Sequence, residues 1–312
     1  MKALCYDNQS KKAVYRTDYP MPTPKAHESL IQVVLCGVCN TDKEILRGYK
    51  PDFSGVLGHE FVGIVRESND PALIGKHVVG ELNEGCGTCL YCKTGREKHC
   101  DNRQVIGIAQ KDGAFAEYIA MATRLLHVLP EDLAPQHAVY CEPFAAALQI
   151  LEQGQITPDK NVAIIGDGRL AFMIAQAVAL LGADLTVFGR HAEKLAMFAP
   201  YAKTATEPCG SFEVVIDACG VPSGLATAAR LVRRGGTIVL KSTYAGDANV
   251  NMSSFVVNEI TLVGSRCGPF APALRLLQRG LVRLPEITLY PLSEYEKAFM
   301  DKDSFKTGFS FI

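Results

Sequence analysis

The stretch Val162-Ala-Ile-Ile-Gly166-Asp167-Gly168-Arg169-Leu170-Ala171 constrains the fold most. It reads as a strand, a glycine-rich turn and the start of a helix, and it fits G-x-G-x-x-G/A with Ala171 in the last place. The first glycine permits a tight turn. The second lets backbone approach a pyrophosphate, and a small third residue lets helix and strand pack. The N–H groups opening the helix then face phosphate. Strand-like runs follow at 185–188, 214–216, 238–240 and 261–263, with helical patterns at 170–181 and 223–231. That alternation predicts βαβ units and a parallel sheet over 143–268. Gly166, Gly168, Arg169 and Leu170 become candidate dinucleotide contacts. A purely structural glycine turn is the alternative.

In such a site the second strand usually ends on an acid that takes the ribose 2′-hydroxyl. Here that place holds Gly189, followed by Arg190. Without the acid there is room for a 2′-phosphate, which a guanidinium binds bidentately. Lys194 follows one helical turn later. The expectation is NADP(H) rather than NAD(H). The alternative is a solvated Arg190 and a site that tolerates NAD(H).

Residues 1–142 differ in character. Short β-like runs at 31–35, 62–66 and 77–80 are broken by Gly, Pro and Asn, which predicts a compact β domain. The tail, 269–312, reads as a helix at 271–281 and then short strands, too little to hide a core, and is expected to pack back onto that first domain. Pro143 suits the first turn of a helix, with Glu142 at its N-terminal end and Gly154 as its C-cap. A chain of 312 residues, 48% hydrophobic and 21% charged, has the material for two cores and is not disordered. With 32 basic and 33 acidic residues, a sequence-independent hold on nucleic acid is not expected. The N-terminus MKALCYDNQSKK lacks an apolar core, and no apolar run is long enough to span a bilayer, so a cytoplasmic protein without membrane contact is expected.

Cysteine placement carries the next inference. Of 11 cysteines, Cys86, Cys89, Cys92 and Cys100 fall within fifteen residues. Thiolates this close can wrap one ion tetrahedrally, and zinc is the usual choice for four sulfurs. A closed shell makes that zinc structural. An iron–sulfur cluster and a redox switch are the alternatives. Lys93, Arg96 and Lys98 in the same loop can offset the excess negative charge. A second set is looser: Cys39, His59 twenty residues later, and Glu142. One thiolate, one imidazole and one carboxylate make a three-ligand zinc site with an open fourth place.

Together these residues resemble the zinc-dependent medium-chain alcohol dehydrogenases of the medium-chain dehydrogenase/reductase superfamily. The matching segments are Cys39-Asn-Thr41-Asp42, Gly58-His59-Glu60, the four-cysteine lobe at 85–100, Cys141-Glu142-Pro143 and Gly166 to Ala171. The resemblance covers nearly the whole chain. It implies an α/β protein, with a GroES-like catalytic domain (1–142 and 269–312) joined to a doubly wound Rossmann domain (143–268) and the active site between them. It implies two zinc ions per chain: a catalytic one on Cys39, His59 and Glu142, and a structural one on the lobe. It makes Asp42 and Glu60 groups that orient the ligands, and Thr41 the hydroxyl that passes the substrate proton. The implied activity is hydride transfer between an alcohol and a nicotinamide cofactor, by a homodimer or homotetramer acting on a small molecule. The rival readings are a non-catalytic zinc- and cofactor-binding relative, and a zinc-free enoyl or quinone reductase. Cys36 and Cys141 are alternative ligands, although the thiol before x-Thr-Asp is Cys39. Glu44 stands where many relatives place a relay histidine, and Lys306 where a basic residue often meets the pyrophosphate. Leu82, Tyr49 and Phe270 are candidate pocket residues, with core packing the alternative for each.

Overall fold

The computed structural model describes residues 1–244 and 247–311. In chain order the framework elements are β1 (Glu28–Gly37), α1 (Asn40–Leu46), β2 (Glu60–Glu67), β3 (His77–Gly80), β4 (Tyr118–Ala122), β5 (Leu126–Val128) and α2 (Cys141–Gln153). They continue with β6 (Asn161–Ile165), α3 (Arg169–Ala179), β7 (Asp184–Phe188), β8 (Lys203–Ala205), β9 (Phe212–Asp217) and α4 (Ser223–Leu231). The last are β10 (Val232–Leu240), β11 (Thr261–Gly264), α5 (Phe270–Gln278), β12 (Ile287–Tyr290) and β13 (Lys306–Ser310). The chain divides into two units, Met1–Glu142 with Arg283–Ile312, and Pro143–Val282.

In the first unit a sheet runs β5-β3-β2-β1-β13-β12, with β4 also pairing with β1. All of its pairings are antiparallel except β12 with β13. Strand β1 is covered on both faces, with Ile31, Val33 and Cys36 fully buried. That is why its sequence reads as a continuous apolar run rather than an alternation. Phe115 packs behind this sheet. It meets Phe309 edge-on at 4.8 Å and Phe299 at 6.2 Å, and a Cβ on Gly58 would stand 2.3 Å from its ring. Gly58 also has φ +91°, a conformation that favours glycine. Phe115 therefore backs the turn that delivers His59. Phe115→Ala is expected to cost about 3–5 kcal/mol of stability, read as a lowered denaturant midpoint.

In the second unit six parallel strands run β8-β7-β6-β9-β10-β11, with the sequence reversal between β6 and β9. Helix α4 covers one face, and its Leu225, Ala228 and Leu231 join Val215 and Ile238 in a buried cluster. The sheet has one strand more than the five apolar runs predict. The extra one is β8, whose Lys-Thr-Ala sequence at a sheet edge has no core to declare it. The segment 269–282, expected with the first domain, lies in the second unit. Helix α5 there buries Phe270, Ala273, Leu274 and Leu277. The preceding Gly268 runs so close to α2 that a Cβ on it would stand 1.9 Å from the Ala145 carbonyl oxygen. The apolar stripe of α5 is visible in the sequence, but a stripe does not say which core it joins. No helix among the described residues is long and apolar enough to cross a membrane.

Candidate active site

Strand β1 ends at Gly37, and Cys39 caps the helix that follows. The Asp42 side chain turns back to accept the Cys39 backbone N–H at 2.8 Å. An acid three residues into a helix satisfies one of its orphan donors, so C-x-T-D forms this turn for local reasons. The other oxygen of Asp42 lies 3.4 Å from His59 Nδ1. Asp42 is fully buried and His59 nearly so, and neither of these two atoms makes a hydrogen bond. With Nδ1 turned to Asp42, Nε2 is left for the opposite side of the ring.

There Cys39, His59 and Glu60 each present one ligand atom, all within 4.8 Å of one another. Glu60 is buried and its Oε2 accepts a charge-assisted hydrogen bond from Lys306, itself buried. The second carboxylate oxygen of Glu60 is not spent on that bond. Burial works against a charged His59 ring, but Asp42 and the Cys39 sulfur outweigh it and raise the imidazole well above its ordinary pKa. Thiol, imidazole and carboxylate, with one ring nitrogen held by an acid, are a donor set that suits zinc.

The other expected residues lie as follows. Glu142, expected as the carboxylate ligand, begins α2 in the first turn and is not in the group formed by Cys39 and His59. Thr41 is 3.6 Å from the Cys39 sulfur. Glu44 pairs with Arg47 at 2.6 Å on the outer side of α1 and makes no hydrogen bond to Thr41 among the described residues. Cys36 and Cys141 are fully buried, and burial lifts both thiols well above their ordinary pKa. Lys306 is buried and bonds Glu60 inside the first unit. Leu82 and Phe270 are core residues, and Tyr49 is exposed with the Lys50 ammonium over its ring.

In the lobe, Cys86, Cys89, Cys92 and Cys100 bring their sulfurs within 4.8 Å of one another. Cys89 caps a one-turn helix, Leu90–Lys93, which returns Cys92 to 3.5 Å from it. The Cys86 N–H points at the Cys100 sulfur at 3.4 Å. Hydrogen bonding from Thr88 draws the Cys86 thiol down to about 6, while burial pushes Cys92 up to about 12. Four sulfurs this close are a ready start for a tetrahedral thiolate site. Arg96 stacks on Tyr91 at 5.4 Å. A third cluster of metal-ligand type, His27, Glu28 and Glu84, already has its cation: the Lys111 ammonium is 2.6 Å from each of the two carboxylates.

In the second unit the turn after β6 adopts φ +128° at Gly166, where a Cβ would meet the Ala218 carbonyl oxygen at 2.7 Å. Gly168 caps α3, and a Cβ on it would meet nothing within 4 Å. That open ground at a helix N-terminus fits a pyrophosphate. Arg169 and Leu170 open the helix, Gly189 is buried at the end of β7, and Arg190 and Lys194 are exposed beyond it.

Comparison with known proteins shows the family. Residues 25–131 match the alcohol dehydrogenase GroES-like domain, and residues 170–279 match the zinc-binding dehydrogenase family. D-arabinitol dehydrogenase 1 of Uromyces fabae is 29% identical over 97% of this chain and 93% of its own length. L-galactonate-5-dehydrogenase of Escherichia coli (strain K12) is 30% identical over 88% of this chain and 86% of its own. An alcohol dehydrogenase structure from Escherichia coli CFT073, complexed with NADH, superposes with a TM-score of 0.89. It is 25% identical, over 100% of this chain and 99% of that one. The chain belongs to the zinc-dependent alcohol dehydrogenases of the medium-chain dehydrogenase/reductase superfamily. It is an oxidoreductase with a GroES-like domain and a Rossmann-like parallel sheet.

Proposed function

We propose that this enzyme moves a hydride between a secondary hydroxyl of a polyhydroxylated substrate, a sugar alcohol or sugar acid, and NADP(H). The observation that carries the reading is the meeting of Cys39 with the buried His59 and Glu60, backed by Asp42. Zinc held by these three supplies a Lewis acid that eases loss of the hydroxyl proton, and nicotinamide supplies the hydride acceptor. Asp42 fixes the His59 ring so that Nε2 faces the metal. Thr41, next to the Cys39 sulfur and only partly buried, takes the substrate proton on its hydroxyl oxygen and releases its own to solvent water. Lys306 holds Glu60 in place and balances its charge. The four lobe cysteines hold a second, structural zinc. Gly166 and Gly168 admit the pyrophosphate, and Arg190 with Lys194, exposed beyond Gly189, favours a 2′-phosphate. The substrate class is supported by what the two relatives are named for. A zinc-free reductase of the superfamily has no use for the Cys39–His59 pairing.

The test is a panel of sugar alcohols, sugar acids and simple alcohols assayed with NADP+ and NAD+ in parallel, with zinc counted in two variants. Polyhydroxylated substrates with NADP+ should give the highest kcat/KM. Glu60→Gln should lose zinc from the Cys39 site, and Glu142→Gln should retain it. Retention by Glu60→Gln and loss by Glu142→Gln would return the ligand role to Glu142. Turnover of simple alcohols alone would contradict the substrate class.

A further inference from the structure

Asp167 is the middle residue of the glycine-rich turn, a place the sequence pattern leaves open. Its side chain reaches to the end of β7. Oδ2 accepts the Arg190 backbone N–H at 2.7 Å and the His191 backbone N–H at 2.8 Å. It lies 2.9 Å from His191 Nδ1, which must be the donor because an ionised carboxylate can only accept. Burial opposes the charge, but the two N–H groups and the His191 ring outweigh it and hold the carboxyl below its ordinary pKa. Oδ1 accepts no hydrogen bond among the described residues.

The neighbouring glycine gives this placement its meaning. A Cβ on Gly189 would stand 2.6 Å from the Asp167 Cβ and 2.8 Å from its Oδ2. The Asp167 carboxylate thus occupies the ground from which a side chain at 189 would begin. A dinucleotide site of this fold sets an acid at that strand end to take the ribose 2′-hydroxyl. We infer that Asp167 supplies this acid from the facing turn, so that one carboxylate favours a 2′-hydroxyl while Arg190 and Lys194 favour a 2′-phosphate. Selection between the two cofactors is therefore a contest inside one loop. Position 189 is glycine because Asp167 is there, and its lack of an acid is not by itself a lack of ribose recognition. The inference rests on the second unit holding a nicotinamide dinucleotide.

The chain has no Trp, so binding of NADP+ and NAD+ is best followed by isothermal titration calorimetry on the whole protein. Asp167→Asn keeps an oxygen for the loop N–H groups and removes the charge. Its affinity should rise for NADP+ and fall for NAD+, moving the ratio of dissociation constants by about tenfold or more, the weight of one charged hydrogen bond. Arg190→Ala should move the ratio the other way. A double variant, Asp167→Gly with Gly189→Asp, returns the acid to the usual place and should bind NAD+ at least about tenfold better than Asp167→Gly alone. An unchanged ratio in Asp167→Asn, including equal weakening of both cofactors as a loosened loop would give, overturns the inference. So does a double variant no better than the single one. A wild-type preference for NAD+ would count against the NADP(H) reading only, because the shift on Asp167→Asn is read from either starting point. Failure of the wild type to bind either dinucleotide would overturn both.

Discussion

Cys39→Ser should remove one zinc per chain and lower turnover by at least about four orders of magnitude, while NADP+ affinity stays within about threefold of wild type. The size follows from the chemistry. Zinc brings the pKa of a bound water from about 15.7 to about 7, and a comparable shift on an alcohol is about 12 kcal/mol. A serine hydroxyl is a poor substitute for a thiolate, and the remaining imidazole and carboxylate leave two donors where three converged. Cofactor affinity is spared because the glycine-rich turn belongs to the other unit. Metal counting, single-turnover hydride transfer and calorimetric cofactor titration check the three parts separately. Retained turnover in a variant that has lost this zinc would refute the proposed mechanism.

Cys92→Ser should have an equally large effect of another kind. The loop 85–100 has few buried apolar side chains of its own. Leu90 is 70% exposed, and Cys100 is the one buried hydrophobic residue among the loop's described residues. The proposed metal bonds rather than a core would then hold it, as in small zinc modules, where binding free energy is folding free energy. Loss of about 3 kcal/mol would lower the thermal midpoint of a chain this size by about 5 °C. Calorimetry should find that fall, a zinc count reduced by one, and near-normal kcat in the fraction that remains folded at low temperature. An unchanged midpoint would mean that the lobe holds its shape without metal.

Much of this arrangement was legible in the sequence, where a signal is local. The glycine-rich turn, the strands beginning at Asn161, Asp184 and Phe212, and helix Ser223–Leu231 all follow from short-range periodicity and turn chemistry. The lobe was legible because its four donors share one loop. Of the group proposed to hold the open metal, Cys39 and His59 were legible. Cys39 and His59 follow from local motifs, but the identity of the carboxylate depends on how β2 is placed against the start of α1. Glu60 points into the group because β2 pairs with β1 in the register Gly37 to Glu60. Cys-Glu-Pro at 141–143 drew attention to Glu142, which stands in the first turn of α2 as its sequence predicts. Lys306 lies 246 residues from its partner Glu60, and only β13 pairing beside β1 unites them. Asp167 was hidden for a different reason. It fills a variable place in a motif that was read for its glycines, and its role depends on the missing side chain at 189.

The zinc ion proposed among Cys39, His59 and Glu60 should be needed for turnover. Anomalous diffraction collected above and below the zinc edge, on crystals of protein whose activity has been measured, tests it directly. The account predicts a peak bonded to Cys39 Sγ, His59 Nε2 and a Glu60 oxygen, and a second at the centre of the four lobe sulfurs. Fully active protein with no peak at the first position would contradict it.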